Sequence, residues 1–162
     1  MSRPDPIYPI YIGCGNELRG DDAAGLLVAR HLRSLGLNAC EHTGDGLTLI
    51  QLWEPASEVV LVDAVSAQGN PGQVSVWDGR AAPVETDLFR YSSHSLGVAE
   101  AIEMARLLGS LPKQLLIYGI EGSQFEVGTP PSAEVLQAVE KVVKMILEKH
   151  ITSGTSRRKG EI

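Results

Sequence analysis

The segment EVVLVD at residues 58–63 constrains the fold most strongly, because four apolar residues in succession are followed at once by a carboxylate. A half-buried strand alternates apolar and polar residues, whereas a strand covered on both faces is apolar throughout, as in a parallel sheet. We therefore predict a buried parallel strand at residues 57–65. Asp63 near its end needs a partner or a function, since burying a carboxylate is costly.

The remaining segments alternate between short apolar runs and helical patterns. Residues 73–77 alternate as a strand that follows its predecessor too closely for a crossover helix, so this strand is predicted to be antiparallel at a sheet edge. We predict a single α/β domain, with a twisted, mostly parallel sheet of about five strands and helices on both faces. It spans residues 1–151, and a polar, disordered tail follows at 152–162. The other predicted strands are 7–13, 37–42 and 114–120, and the predicted helices begin near residues 21, 47, 94 and 132.

Polar residues and glycines mark the predicted helix ends. Gly36 ends the first helix, and Ser93 caps the helix that begins near residue 94. The last helix is capped by Thr129 or Ser132. The stretch at 80–91 shows no periodicity, and long loops in compact domains are often functional.

Charge and composition narrow the class of protein. The chain has 162 residues, with 14 Lys and Arg against 20 Asp and Glu, for a net charge of −6. This balance favours neither nucleic acid nor a membrane surface as a partner. No apolar run approaches the roughly 18 residues of a membrane span, and no secretory signal is recognisable at the start. With two cysteines and no disulfide framework, we expect a cytoplasmic protein with reduced thiols.

Ligands of open parallel sheets bind beyond the carboxyl ends of the strands, so we expect the chemistry at this edge. Asp21 and Asp22 follow the first strand, and Asp63 lies near the end of the central strand. His94 begins a helix that leads into a parallel strand, which puts the start of that helix at the same edge. Carboxylate and imidazole groups together suit borderline divalent metals such as zinc or nickel.

Simpler interpretations exist for some of these residues. Asp21, at a helix start, is typical of a cap that interacts with the helix dipole. Cys14 lies before a helix N-terminus, where thiols are activated, but a cysteine that closes a buried strand is more often a small apolar residue. The turn at 13–16 resembles a dinucleotide-binding motif, but Leu18 stands where a third glycine is needed.

Four segments carry a further signal: IGCGNELRGDDAAG at residues 12–25, GDGLTLIQLW at 44–53, VVLVDAV at 59–65 and SSHSLG at 92–97. In this order they resemble the motifs of the hydrogenase maturation proteases. These endopeptidases trim the C-terminal extension from the large subunit of nickel-iron hydrogenases. LPKQLLIYGIEG at 111–122 and GTPPS at 128–132 also match, so the resemblance covers almost the whole chain except its ends.

The resemblance implies which residues act. The family's metal-binding trio is an acidic residue of the first motif, the aspartate of the central strand and the histidine, and these positions fall on Asp22, Asp63 and His94. All three are therefore expected to be both catalytic and metal-binding. The first is often Glu in the family, and the shorter Asp22 leaves an exchange of roles with Asp21 open. The supporting candidates are Asp21, Gly15 and Asn16.

In this family the metal is nickel already inserted in the precursor, so the resemblance implies no resident catalytic metal and no organic cofactor. The expected partner is the immature hydrogenase large subunit, bound by a monomer of this chain. The loops at 80–91 and 121–128 are expected to flank the site and to contact that subunit. Two alternatives use the same three ligands: a chaperone that checks for nickel without cutting, and a zinc-dependent hydrolase on the same scaffold.

Overall fold

The computed structural model describes residues 9–85 and 96–159, with side chains up to residue 150. Strands and helices alternate along these residues. The strands are β1 (Ile10–Cys14), β2 (Ala39–His42), β3 (Glu58–Val65), β4 (Val74–Asp78) and β5 (Gln114–Glu121). The helices are α1 (Ala24–Ser34), α2 (Gly46–Trp53), α3 (Val98–Leu107) and α4 (Ala133–Lys159), and a 3₁₀ turn over Gly20–Ala23 precedes α1.

The five strands form one sheet in the order β2-β1-β3-β5-β4. The neighbours β2 and β1, β1 and β3, and β3 and β5 pair in parallel. β4 pairs antiparallel with β5 at the edge, because the connection from β3 holds no crossover helix. The predicted α/β fold, with a mostly parallel sheet and one antiparallel edge strand, is confirmed.

Helices cover both faces of β3, which explains its uninterrupted apolar run. Val60 and Val62 belong to one buried cluster, together with side chains from α1 and α4. Val59 and Leu61 belong to the opposite cluster, together with side chains from α2 and α3. All four are at most 6% exposed. Because every one of these positions faces a buried cluster, a polar side chain at any of them would be buried in a hydrophobic core.

The start of α3 differs from the prediction. The helix begins at Val98, four residues later than the sequence indicates. The carbonyl of Leu96 accepts a hydrogen bond from the backbone N–H of Gly46 at 2.8 Å, which holds this stretch against α2 outside the helix. Residues 93 and 94, the predicted cap and the first predicted helical residue, lie outside the described ranges.

The other helix ends agree more closely with the sequence. α1 ends two residues before Gly36, whose φ is +88°, as expected for a glycine that terminates a helix. The backbone of α4 continues to Lys159, into the segment for which the sequence predicts a polar tail. The division of the chain at residue 151 stays a prediction. Within the described ranges, no helix has the length and apolar character needed to cross a membrane.

The loop after β4 starts at the opposite edge of the sheet from the one predicted. Because β4 is antiparallel, its last residue, Asp78, pairs with Leu116 near the start of β5. The Arg80 guanidinium then donates to the carbonyl of Pro112 at 2.9 Å, just before β5. The prediction that the whole loop at 80–91 flanks the site is therefore wrong for its first residues, and residues 86–91 lie outside the described ranges.

Candidate functional site

Two glycines allow the turn before α1 to approach the carboxyl edge of the sheet closely. A Cβ atom at Gly25 would overlap the backbone carbonyls of Cys14 in β1 and Val62 in β3. A Cβ atom at Gly15 would overlap the carbonyl of Asp22, and Gly15 has a φ of +154° that other residues rarely adopt. The acidic turn is therefore held directly against the ends of β1 and β3.

Asp63 lies near the carboxyl end of β3 and is 8% exposed. Its Oδ1 accepts a hydrogen bond from the Ala64 backbone N–H at 2.8 Å. Burial raises the pKa of Asp63 well above its usual value, and the negative charge of Asp22 raises it further, while the Ala64 hydrogen bond opposes both. Within the described residues, no basic side chain forms an ion pair with Asp63.

Asp22 lies in the 3₁₀ turn and is partly exposed. Burial raises its pKa to about 6, although the Arg19 charge and the Asn16 backbone N–H act in the opposite direction. Since the charge of Asp22 raises the pKa of Asp63, the two carboxylates are within electrostatic reach of each other. The structure thus brings together two of the three residues predicted to bind metal.

Asp21 does not cap the helix that follows it, in contrast to the simpler interpretation of its position. It is fully buried. Its carboxylate accepts hydrogen bonds from the backbone N–H groups of Ser123, Gln124 and Ser132 and from the Ser132 hydroxyl, at 2.7–2.9 Å. Burial alone would raise the pKa of Asp21, but these bonds together hold it below its usual value. Both carboxylate oxygens of Asp21 already accept hydrogen bonds. Asp22 is therefore the acidic residue of the turn that is better placed to bind a ligand.

Asn16 shapes the turn between β1 and the acidic residues. Its Oδ1 accepts the backbone N–H of Leu18 at 2.9 Å. Its own backbone N–H donates to the carbonyl of Asp22, and its carbonyl accepts the N–H of Arg19, both at 3.2 Å. These bonds, together with the backbone conformation of Gly15, show that Gly15 and Asn16 shape the turn.

Cys14 is the last residue of β1 and is fully buried. Burial raises the pKa of its thiol well above the usual value, and the negative charges of Asp63, Cys40 and Asp22 add to the effect. A thiol that stays protonated near neutral pH is a poor nucleophile. The structure therefore favours the interpretation of Cys14 as a small buried residue.

Glu121 is a buried carboxylate at the same edge of the sheet, and it is not among the predicted site residues. It ends β5, is 5% exposed, and accepts the backbone N–H groups of Ala67 and Gly69 at 3.1 Å. It thereby holds the loop that connects β3 to β4. The sequence contains a signal for it, because Glu121 follows an apolar strand just as Asp63 does.

The described residues supply two of the three predicted ligands, and His94 lies outside the described ranges. In the part of the chain that the structure describes, no three His, Cys, Asp or Glu side chains form a group able to hold a metal ion. Two neighbouring carboxylates without a cation can share a proton or bind a cation that another molecule supplies. The assignment of Asp22, Asp63 and His94 as a ligand set stays a prediction.

Comparison with known proteins places the chain in a family. The family model for hydrogenase maturation protease (HycI) matches residues 43–149. That segment includes Asp63 and His94 and begins after Asp22. The hydrogenase expression/formation protein HupD of Thiocapsa roseopersicina is 24% identical, over 98% of this chain and 74% of its own length.

Two solved structures have a similar fold. The [NiFe] hydrogenase maturation protease HybD from Thermococcus kodakarensis is 26% identical, with a TM-score of 0.66 over 87% of this chain and 97% of its own. The hydrogenase maturating endopeptidase HybD from E. coli has the same fold, with a TM-score of 0.76 at 20% identity over 91% of this chain and 94% of its own. With the family model matching about two thirds of its length, this chain belongs to the hydrogenase maturation protease family.

Proposed function

We propose that this chain is an endopeptidase that removes the C-terminal extension from the nickel-loaded precursor of a nickel-iron hydrogenase large subunit. Asp22, Asp63 and His94 recognise the nickel that the precursor carries. The chain contributes no resident metal and no organic cofactor. Its partner is the immature large subunit, which it binds as a monomer in the cytoplasm.

The pair formed by Asp22 and Asp63 is the observation that carries this proposal. Burial and the charge of Asp22 raise the pKa of Asp63, so keeping both groups ionised costs free energy in the protein alone. A divalent cation would offset that cost and favour the ionised form of both carboxylates. A site that is electrostatically incomplete without its substrate's metal is suited to test whether that metal is present.

The proposed reaction is hydrolysis of one peptide bond. The substrate's nickel polarises the scissile carbonyl or lowers the pKa of a water molecule. The water oxygen bonds to the carbonyl carbon, the C–N bond breaks, and a proton from the water passes to the leaving amine. A carboxylate of the site, Asp22 or Asp63, is the proposed carrier of that proton.

Intact mass spectrometry of the precursor tests the proposal. The purified chain is mixed with a nickel-loaded precursor, and a nickel-free precursor is treated in parallel. His94→Ala should abolish cleavage, because one of three ligands is lost. His31→Ala, an exposed histidine on α1, is the control and should cleave as the wild type does.

The outcomes separate the proposed protease from its alternatives. Release of a C-terminal peptide only from the nickel-loaded precursor supports the proposal. Stable binding without any change in precursor mass would indicate the nickel-checking chaperone instead. Cleavage of the nickel-free precursor, with one equivalent of zinc retained by the chain after dialysis, would indicate a zinc-dependent hydrolase. Full cleavage by the His94→Ala variant would remove His94 from the site.

A further inference from the structure

We propose that Asp21 is a positioning residue for the cleavage reaction. Its buried carboxylate ties the turn that carries Asp22 to the loop between β5 and α4, and so determines where the Asp22 carboxylate lies relative to Asp63. This inference rests on the proposed function, because it concerns the site at which the precursor's nickel is recognised.

The hydrogen bonds of Asp21 join two segments that are distant in the sequence. Oδ2 accepts the backbone N–H groups of Ser123 and Gln124 at 2.8 and 2.9 Å. Oδ1 accepts the backbone N–H of Ser132 at 2.7 Å and its hydroxyl at 2.9 Å. The partners lie 102 to 111 positions away along the chain. One side chain therefore connects the first acidic turn to both ends of the loop after β5.

Backbone contacts join the same two segments. The backbone N–H of Asp21 donates to the carbonyl of Gln124 at 2.7 Å, and the N–H of Gly128 donates to the carbonyl of Leu18 at 2.8 Å. The Arg19 guanidinium donates to the carbonyl of Phe125 at 3.2 Å. The turn is thus fixed from the loop side, and Asp21 contributes the only carboxylate among these contacts.

Asp22 depends on this connection because it is the next residue along the chain. Its backbone bonds to Asn16 and Arg19, at 3.2 and 3.0 Å, both lie within the turn after β1. Asp63, by contrast, is held in the sheet by its neighbours in β3 and β5. Loss of the Asp21 bonds would therefore shift Asp22 while Asp63 stays in place. A misplacement of about 1 Å at a reacting centre can cost roughly a hundredfold in rate.

Three variants separate positioning from stability. Asp21→Asn keeps one acceptor oxygen but cannot accept bonds on its amide nitrogen. Ser132→Ala removes only the hydroxyl donor. Val142→Ala is the matched control, because it creates a cavity in α4, where Val142 is fully buried, and destabilises the fold without touching the turn.

The assay follows release of the C-terminal peptide from nickel-loaded precursor under single-turnover conditions, at a temperature where all variants are folded. Asp21→Asn should lower the maximal rate of peptide release, measured at saturating enzyme, by roughly tenfold or more. The enzyme concentration that gives half of the maximal rate should change little. Ser132→Ala should lower the maximal rate by a smaller factor. Val142→Ala should stay within about twofold of the wild type. Equal rates for folded Asp21→Asn and Val142→Ala would overturn the proposal.

A spectroscopic readout distinguishes failure of this inference from failure of the proposed function. In Asp21→Asn, the backbone amide resonances of Ser123, Gln124 and Asn16, whose N–H donates to the Asp22 carbonyl, should shift, and those of Asp63 and Ala64 should not. An unchanged Asn16 amide resonance would overturn the inference whether or not the wild type cleaves. Absence of cleavage by the wild type, with the expected shifts in the variant, would count against the proposed function while the coupling of Asp21 to Asp22 holds.

Discussion

Three buried acidic residues at one edge of the sheet are stabilised to different degrees. Asp21 and Glu121 each accept several backbone N–H bonds from neighbouring loops. Within the described residues, Asp63 accepts one bond, from Ala64, and burial and Asp22 raise its pKa. An ionisable group kept in a core at a cost to stability is typical of a functional site.

Replacing Asp63 with Asn is expected to stabilise the fold while abolishing cleavage of the precursor. Asn keeps the oxygen that accepts the Ala64 N–H and removes the buried negative charge. The free energy of unfolding near neutral pH should rise by roughly 0.5–2 kcal/mol, measured by urea denaturation. Asp78→Asn, at the exposed end of β4, is the control and should stay within about 0.5 kcal/mol of the wild type.

The stability difference between wild type and Asp63→Asn should depend on pH. The pKa of Asp63 is higher in the folded state than its ordinary value of 3.8, so the folded protein holds this proton more tightly. The wild type therefore loses stability relative to the variant as the pH rises from 3.8 through the folded-state pKa of Asp63. Below pH 3.8, the two proteins should differ little in stability. A variant that is less stable than the wild type near neutral pH would contradict this prediction.

At the scale of elements, the site depends on how closely α1 approaches the sheet. Gly25 in α1 and Gly13 in β1 face each other, and a Cβ atom on Gly13 would overlap the Gly25 carbonyl. Backbone therefore packs directly on backbone where the helix meets β1 and β3. The acidic turn lies just before this contact, so the contact determines how closely the turn approaches the ends of β1 and β3.

Gly25→Ala tests the close packing of α1. The added methyl group would meet the carbonyls of Cys14 and Val62, which are backbone atoms that cannot rotate away. We expect a loss of about 3 kcal/mol or more in the free energy of unfolding. Gly36→Ala is the control, because its Cβ meets open space and its cost of about 1 kcal/mol comes from the positive φ alone. Equal losses for the two variants in urea denaturation would argue against close packing at Gly25.

At the scale of the whole molecule, two cores share one sheet. The cluster under α1 and α4 contains Leu32, and the cluster under α2 and α3 contains Trp53, with the partly buried Trp77 packed against it. β3 contributes side chains to both clusters. Because each core needs the sheet to be formed, neither is expected to unfold alone.

Leu32→Ala tests this coupling. Leu32 is fully buried, and the cavity should lower the free energy of unfolding by about 2–5 kcal/mol. Both tryptophans of the chain lie on the other side of the sheet. Their fluorescence transition in urea should nevertheless shift by the same amount as the far-UV circular dichroism transition. A fluorescence midpoint that stays at the wild-type value would show that the two cores unfold independently.

Local patterns were enough to predict the order and type of the elements, because apolar periodicity and glycine positions act within a few residues. The run at 58–63 predicted a parallel sheet covered on both faces, and the short link after it predicted the antiparallel edge strand. The ordered motifs indicated the family that the comparisons then identified. Asp22 and Asp63 were placed at one edge by topology alone.

What each carboxylate does depends on contacts that form only in the folded chain. Adjacent in the sequence, Asp21 and Asp22 differ because a loop 102 positions away donates its N–H groups to one of them. The carboxylate of Glu121 likewise accepts N–H groups from Ala67 and Gly69, which lie 54 and 52 positions earlier in the chain. Local sequence patterns carry no record of such distant partners, since these hydrogen bonds depend on which segments meet in space.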